Sequence, residues 1–134
     1  MCRSAKRLSD LTEQMKNPTG YRIFYRYLDY IWNAEEHDWL GGMLGGMSWL
    51  ADGDTADPAF GYDWDKAAEQ VSDPDDPYQT GIQFLKDYLA IGYIEEIAQI
   101  LADMEARERL DLWEKAVQDF MQGSDDPYLR FASE

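Results

Sequence analysis

The hydrophobic residues of this chain recur at spacings of one, three and four, which is the period of an amphipathic α-helix. No segment sustains the alternation of polar and apolar residues that is typical of a strand. The stripes predict helices over residues 19–32, 39–47, 64–71, 80–92, 94–104 and 110–121. The sequence therefore predicts an all-α protein, a compact helical bundle of about five to six helices.

Turn and capping residues predict where these helices begin and end. Thr19 and Asp38 precede the first two stripes and are expected to act as N-caps. Residues 52–63 are dense in Asp, Gly and Pro, and this composition predicts an ordered loop. Residues 73–77 form a second turn signal, after which Thr80 is expected to open the next helix.

The two halves of the chain resemble each other. The segment that begins at Thr19 parallels the segment that begins at Thr80, and both continue with Gly. Trp64 and Trp113 each begin a Trp-acid-Lys-Ala run, and each run is followed by Asp-Asp-Pro-Tyr. Amphipathic copies that bury little alone pack together into one core. We therefore expect residues 1–134 to form a single domain with an internal duplication, with candidate repeats 19–78 and 80–128.

Composition adds a strong negative charge to this picture. The 134 residues include 12 Lys and Arg against 27 Asp and Glu, which gives a formal net charge of −15. The first 26 residues carry +4, whereas residues 27–106 carry −16. A surface of this sign attracts basic partners and disfavours nucleic acid, whose binding depends on Lys and Arg. The content of 45% hydrophobic residues excludes a disordered acidic tail.

No segment predicts export or membrane insertion. The first residues are basic but lack the apolar region of a secretory signal. The longest weakly polar stretch, Trp39–Ala51, is shorter than the roughly 20 residues that span a bilayer. We therefore expect a cytoplasmic protein that binds neither membrane nor nucleic acid.

Candidate chemistry is sparse. One Cys and one His are too few for a Cys/His zinc site. The run Asp52–Asp57 resembles the start of a calcium loop, but the EF-hand pattern places Asp57 where Gly is required and Asp63 where Glu binds. Residues 35–38 lack the second His and the Glu-x-x-His spacing of a di-metal bundle. We therefore expect no catalytic, metal-binding or cofactor-binding residue and no enzyme, and an enzyme that uses carboxylates with a divalent metal is the weakest alternative.

Glycines mark one side of the second predicted helix. They are Gly41, Gly42, Gly45 and Gly46, opposite the apolar stripe of the same helix. Each costs about 1 kcal/mol relative to Ala in a helix interior. We therefore expect close backbone approach on this side, by another helix or by a partner.

The segment from Leu44 to Trp64 carries the motif LGxMSxLxDGxxxDPAxxxDW. This motif resembles one in small acidic helical immunity proteins that are encoded beside bacterial polymorphic toxins, including contact-dependent growth inhibition and Rhs-type systems. The resemblance covers about 20 residues closely. It implies a cytoplasmic protein that binds and neutralises one cognate toxin domain and carries no catalytic residues of its own.

Two functions of different classes are consistent with these features. The first is an immunity protein whose acidic surface binds a basic toxin domain of the nuclease type. The alternative is an acidic adaptor or nucleic-acid mimic that binds a partner other than a toxin. The carboxylates expected to pair with Lys or Arg of the partner are Asp52, Asp54, Asp57, Asp63 and Asp65, with Glu35, Glu36 and Asp38 nearby.

Overall fold

Six α-helices make up the described part of the molecule. The computed structural model describes residues 18–35, 37–48, 55–73 and 75–122, and over these residues the fold is all-α, as predicted. In chain order the helices are α1 Pro18–Glu35, α2 Asp38–Met47, α3 Pro58–Gln70, α4 Pro77–Ala90, α5 Ile97–Ala106 and α6 Leu110–Met121. None of these helices is long and apolar enough to cross a membrane.

Helix α3 begins earlier than the sequence pattern predicts. Asp57 is its N-cap and accepts a hydrogen bond from the amide of Ala59 at 3.1 Å. Pro58 follows at the first position, where no amide N–H is needed. The predicted loop is therefore wrong from Pro58 onward, while residues 52–54 lie outside the described residues. Asp63 consequently lies on a helix.

The same combination of Asp and Pro starts α4. Asp76 accepts hydrogen bonds from the amides of Tyr78 at 3.0 Å and Gln79 at 3.3 Å, and Pro77 is the first helical residue. Thr80, the predicted first residue of this helix, lies instead inside its first turn. Its hydroxyl donates to the carbonyl of Asp76 at 3.0 Å. The predicted start at Thr80 is therefore wrong by about one turn of helix.

The predicted caps of α1 and α2 are also displaced. Thr19 lies inside α1, which begins at Pro18. Asp38 is the first residue of α2, and His37 precedes it without a side-chain hydrogen bond to the helix. These shifts leave the apolar faces of both helices buried as the stripes predict, except at Trp32, which is 37% exposed.

Antiparallel neighbours bury the apolar stripes. Helix α1 packs on α2, α4 and α6, and α4 packs on α1, α3 and α5, so these two helices lie at the centre of the bundle. The most extensive contacts join α1 to α6 and α3 to α4. The largest fully buried side chains are Trp64, Tyr21, Tyr25, Tyr27, Phe24, Phe84, Leu28, Ile31, Leu40, Leu44 and Met47.

Buried contacts recur at a spacing of 57 residues. The hydroxyl of Tyr21 donates to the carbonyl of Met47 at 2.6 Å, and the hydroxyl of Tyr78 donates to the carbonyl of Met104 at 2.8 Å. The alignment of the two halves from sequence has a spacing of 61 residues, about one helical turn away from this register. The duplication itself stays a prediction. The recurring contacts align α1 with α4 at a spacing of 57 residues.

Helices α1–α3 form the first half of the molecule and α4–α6 form the second. The third helix of each half packs against the first helix of the other half. Trp64 on α3 and Trp113 on α6 occupy equivalent places in these contacts. The ring contacts are Trp64 with Tyr21 and Phe84, and Trp113 with Tyr78 and Tyr27, at centroid distances of 5.6, 5.8, 5.0 and 5.3 Å. Helix α3 therefore lies along α4, and α6 lies along α1.

Close packing brings aromatic rings against two glycines of α2. A Cβ on Gly41 would lie 2.9 Å from the ring of Trp32, and a Cβ on Gly46 would lie 2.7 Å from the ring of Phe60. The other two glycines of the predicted stripe have no atom within 4 Å. Close approach is therefore confirmed for Gly41 and Gly46 only, and the neighbours are aromatic side chains rather than backbone.

Candidate functional site

The eight carboxylates predicted to bind a partner are dispersed. Asp52, Asp54 and Glu36 lie outside the described residues. Asp57 and Asp38 are exposed at the first turns of α3 and α2. The other three lie on the sides or the ends of helices, where each is half-buried.

Glu35 is engaged in an internal ion pair at the end of α1. The guanidinium of Arg109 donates to Oε2 of Glu35, and Nε2 of His37 lies 2.9 Å from Oε1. These contacts join the α1–α2 connection to the α5–α6 connection. Glu35 therefore has a structural role that its position in the sequence did not indicate.

An open cleft of about 370 Å³ lies between α3 and the C-terminal part of α4. Contacts join Asp63 to Tyr88 and Gln70 to Asp87, so the middle and end of α3 lie beside the C-terminal half of α4. Of the predicted site residues that the structure describes, Asp63 alone lines this cleft. Helix α3 contributes Asp63, Lys66 and Gln70, and α4 contributes Asp87, Tyr88 and Ala90, followed by Ile91.

Asp87 lies at the centre of a hydrogen-bond network in this cleft. Nε2 of Gln70 donates to its Oδ2 at 2.9 Å, and Nε2 of Gln83 donates to its Oδ1 at 2.9 Å. Both donors are neutral amides, so they orient the carboxylate without neutralising it. Sequence reasoning missed Asp87 because its partner Gln70 lies on another helix, and only the pairing of α3 with α4 brings them together.

The second carboxylate of the cleft is held by a tyrosine. The hydroxyl of Tyr88 donates to Oδ2 of Asp63. Burial, and after it the hydrogen bond to Asp63, raises the pKa of Tyr88 well above its ordinary value of 10.0. Tyr88 therefore stays protonated at neutral pH and remains a donor. Oδ1 of Asp63 accepts no hydrogen bond from the described residues, so this oxygen keeps its capacity to accept one.

Exposed apolar side chains adjoin the two carboxylates. Ile91 is 74% exposed, Tyr62 is 57% exposed and Tyr93 is 45% exposed. Tyr93 packs on Tyr88 at a ring distance of 5.1 Å, and Nζ of Lys66 lies 5.4 Å from the ring centroid of Tyr62. Exposed tyrosines next to packed ones are typical of protein-binding surfaces. We call the cleft together with Tyr62, Ile91 and Tyr93 the cleft surface.

The wider surface of the described helices is acidic. The exposed basic side chains are Lys66, Lys86, Arg107 and Lys115. The exposed carboxylates are Asp38, Asp57, Glu69, Asp73, Asp75, Glu95, Glu96, Glu105, Glu108, Asp111 and Glu114. This excess of one sign produces a negative potential that extends about one Debye length, roughly 8 Å at physiological salt.

Neither metal-site geometry nor similarity identifies this surface. No group of three or more His, Cys, Asp or Glu among the described residues is placed to hold a metal ion. Comparison of the chain with protein-family models, with curated proteins and with solved structures finds no match. The interpretation of the cleft surface therefore depends on its own geometry and charge.

Proposed function

We propose that this protein is an immunity-type inhibitor that binds a basic, nuclease-type toxin domain in the bacterial cytoplasm and neutralises it. The observation that carries the proposal is the cleft surface, where oriented carboxylates lie beside exposed Tyr and Ile on an acidic molecule. The motif over residues 44–64 supports a toxin as the partner through its resemblance to immunity proteins. An inhibitor of this kind needs a complementary surface and no chemistry of its own.

Inhibition would follow from occupation of the phosphate-binding surface of the toxin. A nuclease binds phosphates through Lys and Arg, and an acidic protein can cover the same side chains. Long-range attraction raises the association rate, to about 10⁸ M⁻¹s⁻¹ or more at low salt. After encounter, the exposed Tyr and Ile side chains supply desolvated contacts that slow dissociation.

The contacts in the structure change which carboxylates are proposed to bind. Glu35 is assigned to the internal pair with Arg109 rather than to the partner. Asp63 stays in the proposed interface, and Asp87 joins it because both line the cleft. Asp38 remains exposed and available on α2.

Co-expression with the toxin domain encoded beside this gene tests the proposal. We expect cells to survive and the two proteins to elute together from gel filtration at about 150 mM salt, where exposed charges alone are largely screened. An unrelated basic protein of similar charge is the control and should elute separately. Cell death together with the absence of a complex would refute the proposal. Capture of a housekeeping protein in place of any toxin domain would favour the adaptor alternative.

A further inference from the structure

We infer that the α3–α4 cleft receives an arginine side chain of the partner protein. The inference depends on the proposed function in one respect, namely that the partner is a basic protein. Asp63 and Asp87 supply negative charge from the two helices, and Ala90 and Ile91 supply apolar surface beside them. This combination matches a cationic head group on an aliphatic stem.

The other half of the molecule contains an equivalent pair of positions. In the register of the recurring contacts, a spacing of 57 residues, Tyr30 on α1 corresponds to Asp87 on α4. When Trp113 is aligned with Trp64, a spacing of 49 residues, Asp119 on α6 corresponds to Gln70 on α3. Both pairs are hydrogen-bonded, since Tyr30 donates to Asp119 as Gln70 donates to Asp87. The two grooves therefore share a framework and can be compared directly.

The α1–α6 groove is occupied by a lysine of the chain itself. Nζ of Lys115 lies 4.6 Å from the ring centroid of Tyr30 and 3.2 Å from Oδ2 of Asp119. Its counterpart Lys66 lies over Tyr62 and makes no ion pair with a described residue. The α3–α4 cleft thus stays open at the place where the other groove holds a cation against a carboxylate.

Arginine suits this cleft better than lysine. A guanidinium presents five N–H donors in one plane, so it can donate to more than one acceptor at once, whereas an ammonium acts as a compact point charge. At about 370 Å³ the cleft is near the lower limit of ligand pockets, roughly 300–1,000 Å³, and this fits one side chain.

Two capped tripeptides test the inference without the toxin. One is acetyl-Gly-Arg-Gly-amide, and the control replaces arginine by citrulline, which has nearly the same shape but no charge. Binding is followed by NMR at low salt through the Ile91 methyl groups and the side-chain amides of Gln70 and Gln83. We expect saturable shifts at these groups with a dissociation constant near the millimolar range, and binding of the citrulline peptide weaker by about tenfold.

Charge variants should change the affinity for the arginine peptide in opposite directions. Asp63→Asn and Asp87→Asn should each weaken binding of the arginine peptide by about three- to tenfold, because each removes a charged acceptor. Lys66→Met should strengthen it by about two- to threefold, because it removes a competing cation. Glu114→Gln on α6 is the matched control and should change binding by less than about twofold. The gain expected for Lys66→Met cannot arise from unfolding of the protein.

The outcomes separate this inference from the proposed function. Equal binding of the two peptides, or shifts spread over the acidic surface instead of the cleft, would overturn the inference. If the toxin domain binds the wild type and the Asp63→Asn, Asp87→Asn double variant equally, the inference fails and the proposed function stands. If the arginine peptide binds in the cleft but no toxin forms a complex, the proposed function fails and the cleft assignment stands.

Discussion

Replacement of Gly81 by Ala tests the contact between α1 and α4 that forms the centre of the bundle. A Cβ at this position would lie 2.7 Å from both Cδ1 and Cε1 of Phe24. Phe24 is fully buried and packs against Trp64 at 5.3 Å and against Phe84 at 5.6 Å. Because these neighbours fix its ring, the added methyl group must push α1 and α4 apart.

The size of the effect follows from two terms of opposite sign. Ala stabilises a helix interior by about 1 kcal/mol relative to Gly. Overpacking a fixed core site costs about 1–3 kcal/mol. Gly42→Ala is the matched control because a Cβ there has no atom within 4 Å and only the helix term applies. The free energies of unfolding of the two variants should therefore differ by about 1–3 kcal/mol, with Gly81→Ala the less stable.

Urea unfolding followed by circular dichroism measures this difference. Gly42→Ala should be more stable than the wild type by up to about 1 kcal/mol. Gly41→Ala should fall between the two variants, because its neighbour Trp32 is 37% exposed and can turn away. If Gly81→Ala is as stable as Gly42→Ala, the close approach of Phe24 to α4 is wrong, and so is the packing that positions the cleft.

Further substitutions and an alkaline titration test the buried hydrogen bonds and the N-cap of α4. Tyr21→Phe removes the hydroxyl donor to the buried carbonyl of Met47 and should lower the free energy of unfolding in urea by about 1–3 kcal/mol. Tyr78→Phe should also lower it, but by less, because the carbonyl of Met104 keeps a hydrogen bond from the amide of Arg107 at 3.1 Å. A cost for only one of them would contradict the equivalence of the two contacts. Asp76→Ala removes the N-cap of α4 and should cost about 0.5–2 kcal/mol in urea, whereas Asp76→Asn keeps an acceptor oxygen and should cost less. Since folding raises the pKa of Tyr88, its contribution to stability is complete below pH 10.0 and is lost as the pH rises toward the folded pKa. The tyrosinate absorbance of Tyr88, taken as the difference between the wild type and Tyr88→Phe in an alkaline titration, should therefore appear only with unfolding, and Tyr88→Phe should reduce the pH dependence of stability. Ionisation of Tyr88 near pH 10.0 in the folded protein would refute this.

The helices themselves were predictable because burial of one face is a local property of the sequence. The predicted helix over 110–121 coincides with α6, and the one over 39–47 differs from α2 by a single residue. Each has apolar residues at three- and four-residue spacings along its whole length. The fold class could therefore be predicted from local periodicity alone.

The predicted start of α3 was wrong because Asp and Pro occur both in turns and at helix N-termini. Asp57-Pro58 and Asp76-Pro77 are the same signal, an N-cap followed by Pro at the first helical position. What separates this signal from a turn is the apolar spacing that follows it. Phe60 and Trp64, four residues apart and both buried, supply that spacing in α3.

The cleft could not be predicted, because it depends on which residues of two helices meet. Asp63 was chosen for its charge, whereas Asp87 has its role only through Gln70 of α3. Glu35 was likewise chosen for its charge, and its partner Arg109 lies 74 residues away in the chain. Contacts at such separations follow from packing, on which composition and spacing carry no information.

Because α3 packs on α4 and α6 packs on α1, neither half of the molecule keeps all its contacts when the two are separated. A cut in the α3–α4 connection would leave Trp64 with Tyr21 in one fragment and Trp113 with Tyr78 in the other. In each fragment the tryptophan would lose one aromatic neighbour, because that ring, Phe84 for Trp64 and Tyr27 for Trp113, lies in the opposite fragment. Neither piece holds a complete aromatic core alone, but two separately made pieces carry complementary faces. The α3–α4 cleft therefore forms only when both halves are joined, since each half supplies one of its two helices.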